Sequence, residues 1–119
     1  MDTSKLAKWF GVVMLAVGVL GFVPGVTSNG HLLGIFEVDM LHNVIHLLTG
    51  VLALMFASSA PKTFFKVFGV VYLVVTVAGF VQGSTVLGLI GVNMADNLLH
   101  LVIAVLALMV GFKRDSMGM

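Results

Sequence analysis

One stretch of the chain occurs twice. Asn43-Val-Ile-His46-Leu-Leu-Thr-Gly50-Val-Leu-Ala53-Leu-Met55 returns as Asn97-Leu-Leu-His100-Leu-Val-Ile-Ala104-Val-Leu-Ala107-Leu-Met109, with Asn, His, the small residues and the closing Val-Leu-Ala-Leu-Met in matching places. An apolar run of this length that opens on one Asn and one His reads as a helix carrying its polar pair at one end. Finding it twice constrains the fold to two similar halves, each closing with such a helix.

The partner helix of each half repeats as well. Lys8-Trp-Phe-Gly11-Val-Val-Met-Leu-Ala-Val-Gly18-Val-Leu-Gly21-Phe-Val-Pro-Gly25 aligns without gaps on Lys66-Val-Phe-Gly69-Val-Val-Tyr-Leu-Val-Val-Thr76-Val-Ala-Gly79-Phe-Val-Gln-Gly83. This match argues against a cleaved secretory leader, the reading that Lys5 and Lys8 ahead of a short apolar core would otherwise invite. Four apolar runs follow, at about 9–23, 41–57, 64–81 and 97–112, each near the lower end of the roughly 17–25 residues of a membrane-crossing helix. Composition agrees: 60% of residues are hydrophobic and 9% charged, against roughly 45–50% and about 25% in soluble domains. The chain belongs in a lipid bilayer, and its +1 net charge gathers no basic patch for nucleic acid. With no cysteine, thiolate metal sites, disulfides and cysteine nucleophiles are excluded.

Charge sets the expected orientation. Lys5 and Lys8 precede the first run, Lys62 and Lys66 lie between the second and third, and Lys113 and Arg114 follow the fourth. The other two connectors carry Glu37, Asp39 and Asp96 and no Lys or Arg. Short cytoplasmic loops are rich in Lys and Arg, so both termini are expected in the cytoplasm. The two halves then run in the same sense, about an axis along the membrane normal. His46 and His100 fall at equal depth near the outer face. The connectors Leu33-Gly-Ile-Phe-Glu-Val-Asp-Met40 and Leu87-Gly-Leu-Ile-Gly-Val-Asn-Met94 are too apolar for free loops and are expected to lie over the outer end of the bundle. The tail from residue 115 is read as disordered.

Residues three or four apart share a helix face. Asn43, His46, Gly50, Ala53 and Ala57 therefore form one stripe, repeated as Asn97, His100, Ala104, Ala107 and Gly111. Small residues in a membrane helix mark close approach of another helix, so Asn and His are expected to face protein. Gly11, Gly18 and Gly25, with Gly69, Thr76 and Gly83, add a heptad spacing that favours a left-handed bundle.

The polar stripe supports two readings. In the first, Asn43 with His46 and Asn97 with His100 hydrogen-bond across helices, for roughly 0.6–2 kcal/mol each. This is preferred, because the stripe below each His is small throughout and suits close backbone contact. In the second, His46 and His100 ligate haem b or, with Asp39, His42 and Asp96, a divalent metal such as zinc. Asp39 lies three residues before His42 and Asp96 four before His100, within reach to orient an imidazole. His42 aligns with Asp96 across the repeat, and both are expected to be solvated at the membrane surface, as is Glu37. A transport path through His46, His100, Asp96 and Thr76 lacks ionisable steps on the cytoplasmic side, and Thr76 is expected to bond its own preceding turn. No nucleotide loop, nucleophile elbow or zinc-protease motif is present, which makes an enzyme the weakest class.

The Gly-Phe-Val-Pro-Gly after the first run, Leu-Leu-Gly-Ile-Phe before His42-Asn-Val-Ile-His46-Leu-Leu-Thr-Gly50, and Ala95-Asp-Asn-Leu-Leu-His100-Leu together resemble the small four-helix membrane proteins of domain-of-unknown-function family 4383. The resemblance covers nearly the whole chain and implies a prokaryotic cytoplasmic-membrane protein without an established role. It supports Asn43, His46, Asp96 and His100 as the residues to test. The expected architecture is an all-α domain over 1–119, four transmembrane helices in two helical hairpins repeated at about 8–57 and 66–112, N-in and C-in. The expected role is a non-enzymatic structural or accessory component, partnered by lipid and by a second copy or a larger membrane complex.

Overall fold

The computed structural model describes residues 2–113; Arg114 and residues 115–119 lie outside it. Four helices dominate: α1 (Thr3–Leu20), α2 (Met40–Phe56), α3 (Pro61–Gln82) and α4 (Met94–Gly111). Three of them, α1, α3 and α4, are long and apolar enough to cross a membrane, and α2 is one residue shorter than α1. At 1.5 Å per residue these helices run about 26–33 Å. The connectors account for much of the remainder of the 49 Å long axis.

Each boundary has a local cause. Asp2 caps α1 by accepting the Lys5 amide proton at 2.8 Å. The helix stops at Leu20, whose carbonyl accepts from the Thr27 hydroxyl at 2.8 Å; Pro24 then bars any continuation. Pro61 opens α3 in the first turn, where its missing N–H costs no hydrogen bond. The helices are more regular than their apolar runs alone indicate, since α1 begins six residues ahead of the expected start at residue 9.

The connectors fold as small antiparallel ribbons. In the first, β1 (Thr27–Ser28), β2 (His31–Leu32) and β3 (Phe36–Glu37) form a meander; in the second, β4 (Thr85–Val86) pairs with β5 (Ile90–Gly91). Asn29 and Gly30 both have positive φ, at 54° and 75°, the geometry that lets a two-residue turn join twisted strands. Leu33–Gly34 and Leu87–Gly88 are also both positive, so β2–β3 and β4–β5 share a three-residue loop. A leucine in this region is uncommon, and Leu33 and Leu87 are 65% and 69% exposed at the tips.

Packing is closest within α1–α2 and within α3–α4. Glycines permit it: a methyl on Gly11 would sit 2.9 Å from the Gly50 carbonyl oxygen, and one on Gly69 would sit 2.8 Å from Leu108 Cγ. The interior is divided along its length. Ala7, Ala53, Ala57, Phe64, Phe65 and Ala107 fill the end that carries Lys62, Lys66 and Lys113, with Phe10 5.8 Å from both Phe64 and Phe65. Met14, Tyr72 and Ala104 pack midway. The far end is occupied by imidazoles.

Candidate functional site

The histidines are placed by two capped helix starts. Asp39 precedes α2, and its Oδ1 accepts the His42 amide proton at 2.8 Å. One turn later α2 delivers His46 on the same face. Asn93 and Asp96 cap α4 reciprocally, the Asp96 amide donating to Asn93 Oδ1 at 2.9 Å and the Asn93 amide to Asp96 Oδ2 at 3.0 Å. His100 follows on the buried face. Both caps are tied to the opposite connector: Gly91 N–H donates to Asp39 Oδ2 and Asn93 Nδ2 to the Ile35 carbonyl, each at 2.8 Å. These cross-ties hold the start of α2 beside that of α4.

Three imidazoles meet there. Ring centroids lie 4.5 Å apart for His42 and His46, 5.5 Å for His42 and His100, and 6.2 Å for His46 and His100. One ring nitrogen from each lies within 4.8 Å of the others. The residues are 3%, 6% and 3% exposed. Both nitrogens of His42 and the Nδ1 of His46 and of His100 are buried without a hydrogen-bond partner; backbone groups of Gly91 and Glu37 face His42 outside bonding geometry. Unpartnered buried polar atoms cost about 1–3 kcal/mol each, and four of them converge here. Neutral imidazole nitrogens are good ligands for zinc, copper, iron and nickel.

Beside the rings is a cavity of about 200 Å³ between α2 and α3. Apart from the three histidines its polar lining is Thr49 and Tyr72. Tyr72 donates to Thr49 Oγ1 at 3.3 Å, joining the two hairpins, while Thr49 donates to the Ile45 carbonyl at 2.8 Å. Just before His46 and His100 on their helices, Asn43 Oδ1 faces Gly21 and Asn97 Oδ1 faces Gly79, closely enough that a methyl on either glycine would overlap the oxygen. Neither amide oxygen has a conventional hydrogen-bond partner.

The profile of a family described as Domain of unknown function (DUF4383) matches residues 5–113. The chain belongs to that family. No curated protein and no solved structure matches it.

In this DUF4383 chain the two stripes are buried as expected, from Asn43 to Ala57 and from Asn97 to Gly111. Thr76 donates to the Tyr72 carbonyl at 2.7 Å, the bond to its own preceding turn that was expected. Other expectations are corrected. His42 and Asp96 are not solvated; they are 3% and 2% exposed, roofed by the connectors and their buried Val38 and Val92. Asp39 and Asp96 serve as helix caps, Asp39 also accepting from Gly91, and among the described residues neither is hydrogen-bonded to an imidazole. No hydrogen bond joins Asn43 to His46 or Asn97 to His100 among the described residues; the amides pack on glycine and the imidazoles on one another. Gly25 and Gly83 leave the heptad interface for the connectors, with φ of 92° and 86°. His42 is the residue whose importance alignment of the halves concealed, since its counterpart is Asp96. The signal available was its four-residue spacing from His46, which puts two imidazoles on one helix face in the manner of helical zinc sites.

Proposed function

We propose that this protein is a non-enzymatic, multi-pass membrane component that binds one zinc-like divalent ion through His42, His46 and His100. The observation that carries the reading is the convergence of three buried imidazoles from two helices, with a nitrogen of each within 4.8 Å of the others and no hydrogen-bond partner on either nitrogen of His42 or on the Nδ1 of His46 and His100. Ligands at roughly 2.0–2.1 Å in tetrahedral geometry stand about 3.3 Å apart, so closure needs at most about 1.5 Å of imidazole movement. Each imidazole would gain a partner on one of its nitrogens. Haem finds less support, because the His42 ring packs against both His46 and His100 where a macrocycle would need a slot.

The setting we propose is the cytoplasmic membrane, crossed four times with both termini inside. Supporting this, Lys5, Lys8, Lys62, Lys66 and Lys113 share the aromatic end of the bundle, Lys62 Nζ donating to the Lys113 carbonyl at 2.5 Å, while Glu37, Asp39 and Asp96 share the other. The α2 helix, at 17 residues, sits at the lower limit for a span. We also read the chain as a tandem duplication of one hairpin. Gly21 with Asn43 and Gly79 with Asn97, and the matching β2–β3 and β4–β5 loops, support that origin. A transport path finds no such support, since the basic half of the interior is filled by Phe10, Phe64, Phe65 and alanines. The ion would act as a staple for an accessory subunit of a membrane complex.

The reading is tested by elemental analysis of the protein purified in mild detergent. One equivalent of metal is expected in the wild type and none in His46→Leu or His100→Leu. Metal retained in both variants would overturn it.

A further inference from the structure

We propose that the seam between α1 and α4 binds an acyl chain of an anionic phospholipid, whose phosphate is held by Lys5, Lys8 and Lys113. The inference stands apart from the metal site and needs only the membrane setting. Between the two hairpins α3 meets both α1 and α2, but α1 and α4 touch little. The space they leave is a groove of about 280 Å³. Leu6 and Phe10 of α1 and Leu106 and Val110 of α4 line it over the buried Phe65, and apart from the Trp9 indole its lining is wholly apolar. From Leu6 to Val13 it follows α1 for about 10 Å at 1.5 Å per residue. That is most of the roughly 15 Å that one leaflet contributes to a hydrocarbon core of about 30 Å.

The groove leads to the basic end of the bundle. A hollow of about 390 Å³ continues from Leu6, Leu106 and Val110 to Lys113, and another of about 170 Å³ runs from Trp9 to Lys5 and Lys8. All three lysines are exposed, and lysine stems follow apolar surface while their ammonium groups reach the headgroups. Among the described residues the one acid at this end is Asp2, which is engaged in capping α1. Three cations against one carboxylate favour an anionic headgroup, each lysine contributing about fivefold in affinity. Trp9, 62% exposed where the groove meets these lysines, carries an indole suited to headgroup depth.

The repeat supplies a contrast. Between α2 and α3 an equivalent hollow is lined by Phe56, Phe64, Val67 and Phe68, the counterparts of Val110, Leu6, Trp9 and Phe10. Lys8 keeps a counterpart there in Lys66, but Lys5 and Lys113 are replaced by Thr63 and Ser59. An apolar hollow therefore occurs at both seams, and the full basic rim at one. A second copy suits the α1–α4 groove less well than lipid. Two parallel chains meeting there about a twofold axis would set the three lysines against their own counterparts, and like charges brought together are costly.

Trp9 is the single tryptophan of the chain, so its fluorescence reports on the groove. The test places the full chain in phosphatidylcholine vesicles containing a small fraction of either phosphatidylglycerol or phosphatidylcholine brominated on its acyl chains, and reads the quenching of Trp9. The anionic lipid should quench at about fivefold lower mole fraction, or less. Lys5→Gln combined with Lys113→Gln should bring the two lipids close to parity while leaving quenching by phosphatidylcholine as it was. Val110→Phe, which narrows the groove with the ring its counterpart Phe56 carries, should weaken the preference with the lysines in place. Trp9→Phe combined with Val67→Trp moves the reporter to the α2–α3 seam, where the two lipids should quench almost alike. Equal quenching by both lipids in the wild type would overturn the proposal. So would a preference that survives either the paired lysine variant or Val110→Phe, or one of equal size at Val67→Trp, since each would mark a general attraction to the basic end. A Trp9 that neither lipid quenches would put protein in the groove and overturn it as well.

Discussion

The Oδ1 of Asn43 rests directly against Gly21, leaving no room for a β-carbon on α1. Asn97 and Gly79 stand in the same relation between α3 and α4. These contacts set how closely each hairpin closes beside the histidine cluster, at the connector end of the bundle. Gly21→Ala or Gly79→Ala should therefore cost about 1–3 kcal/mol by overpacking, read as a lowered melting temperature in detergent. Equal stability in both variants would show that the hairpins are held elsewhere.

The imidazoles make an opposite pair of predictions with and without metal. In chelator-treated protein, His42→Leu or His46→Leu removes buried atoms that have no hydrogen-bond partner, so stability should stay level or rise. With free zinc at 100 times its dissociation constant, the wild type should gain about 2.7 kcal/mol and the variants nothing. A loss in the chelated variants comparable to that of an ordinary hydrogen-bonded histidine would contradict the cluster as drawn.

Asp39 serves the start of α2 and the second connector together, through the His42 and Gly91 amides. Asp39→Ala should cost about 1–2 kcal/mol, the upper range for a lost helix cap. Hydrogen exchange at the Gly91 amide should accelerate in the same variant. Unchanged protection of that amide would mean that the connectors are held over the histidines by other contacts.

Tyr72 and Thr49 form a hydroxyl bridge between the two hairpins. At 3.3 Å it is weak, and Tyr72→Phe should cost no more than about 0.5–1.5 kcal/mol. Metal stoichiometry should not change. Loss of the ion in Tyr72→Phe would make the phenol a ligand, against the present assignment.

Orientation is checked by labelling, since the chain has no cysteine of its own. Ser28 lies in the first connector and Ser59 in the turn between α2 and α3, both exposed. In intact cells a membrane-impermeant thiol reagent should label Ser28→Cys readily and Ser59→Cys only after permeabilisation. The reverse pattern would invert the topology.

Much of this was readable in the residues because helical periodicity is local. The small stripes from Asn43 and Asn97 fall on buried faces, and Thr76 bonds its own turn as its type predicts. The site itself was less legible. His42 became central through α2 lying beside α4, a relation imposed by the Gly91 and Asn93 cross-ties rather than by periodicity. Asp39 and Asp96 were within sequence reach of the imidazoles, yet the orphan amides at the helix starts claimed them first. The ribbons depend on paired positive φ at Leu33–Gly34 and Leu87–Gly88, a conformation that leucine does not advertise.

The most direct test of the three-imidazole site is the X-ray absorption fine structure of the zinc-loaded protein. Three imidazole ligands at about 2.0 Å are predicted, falling to two imidazoles or to no bound zinc in His42→Leu. A zinc shell made of carboxylate oxygens, or one left unchanged by His42→Leu, would contradict it.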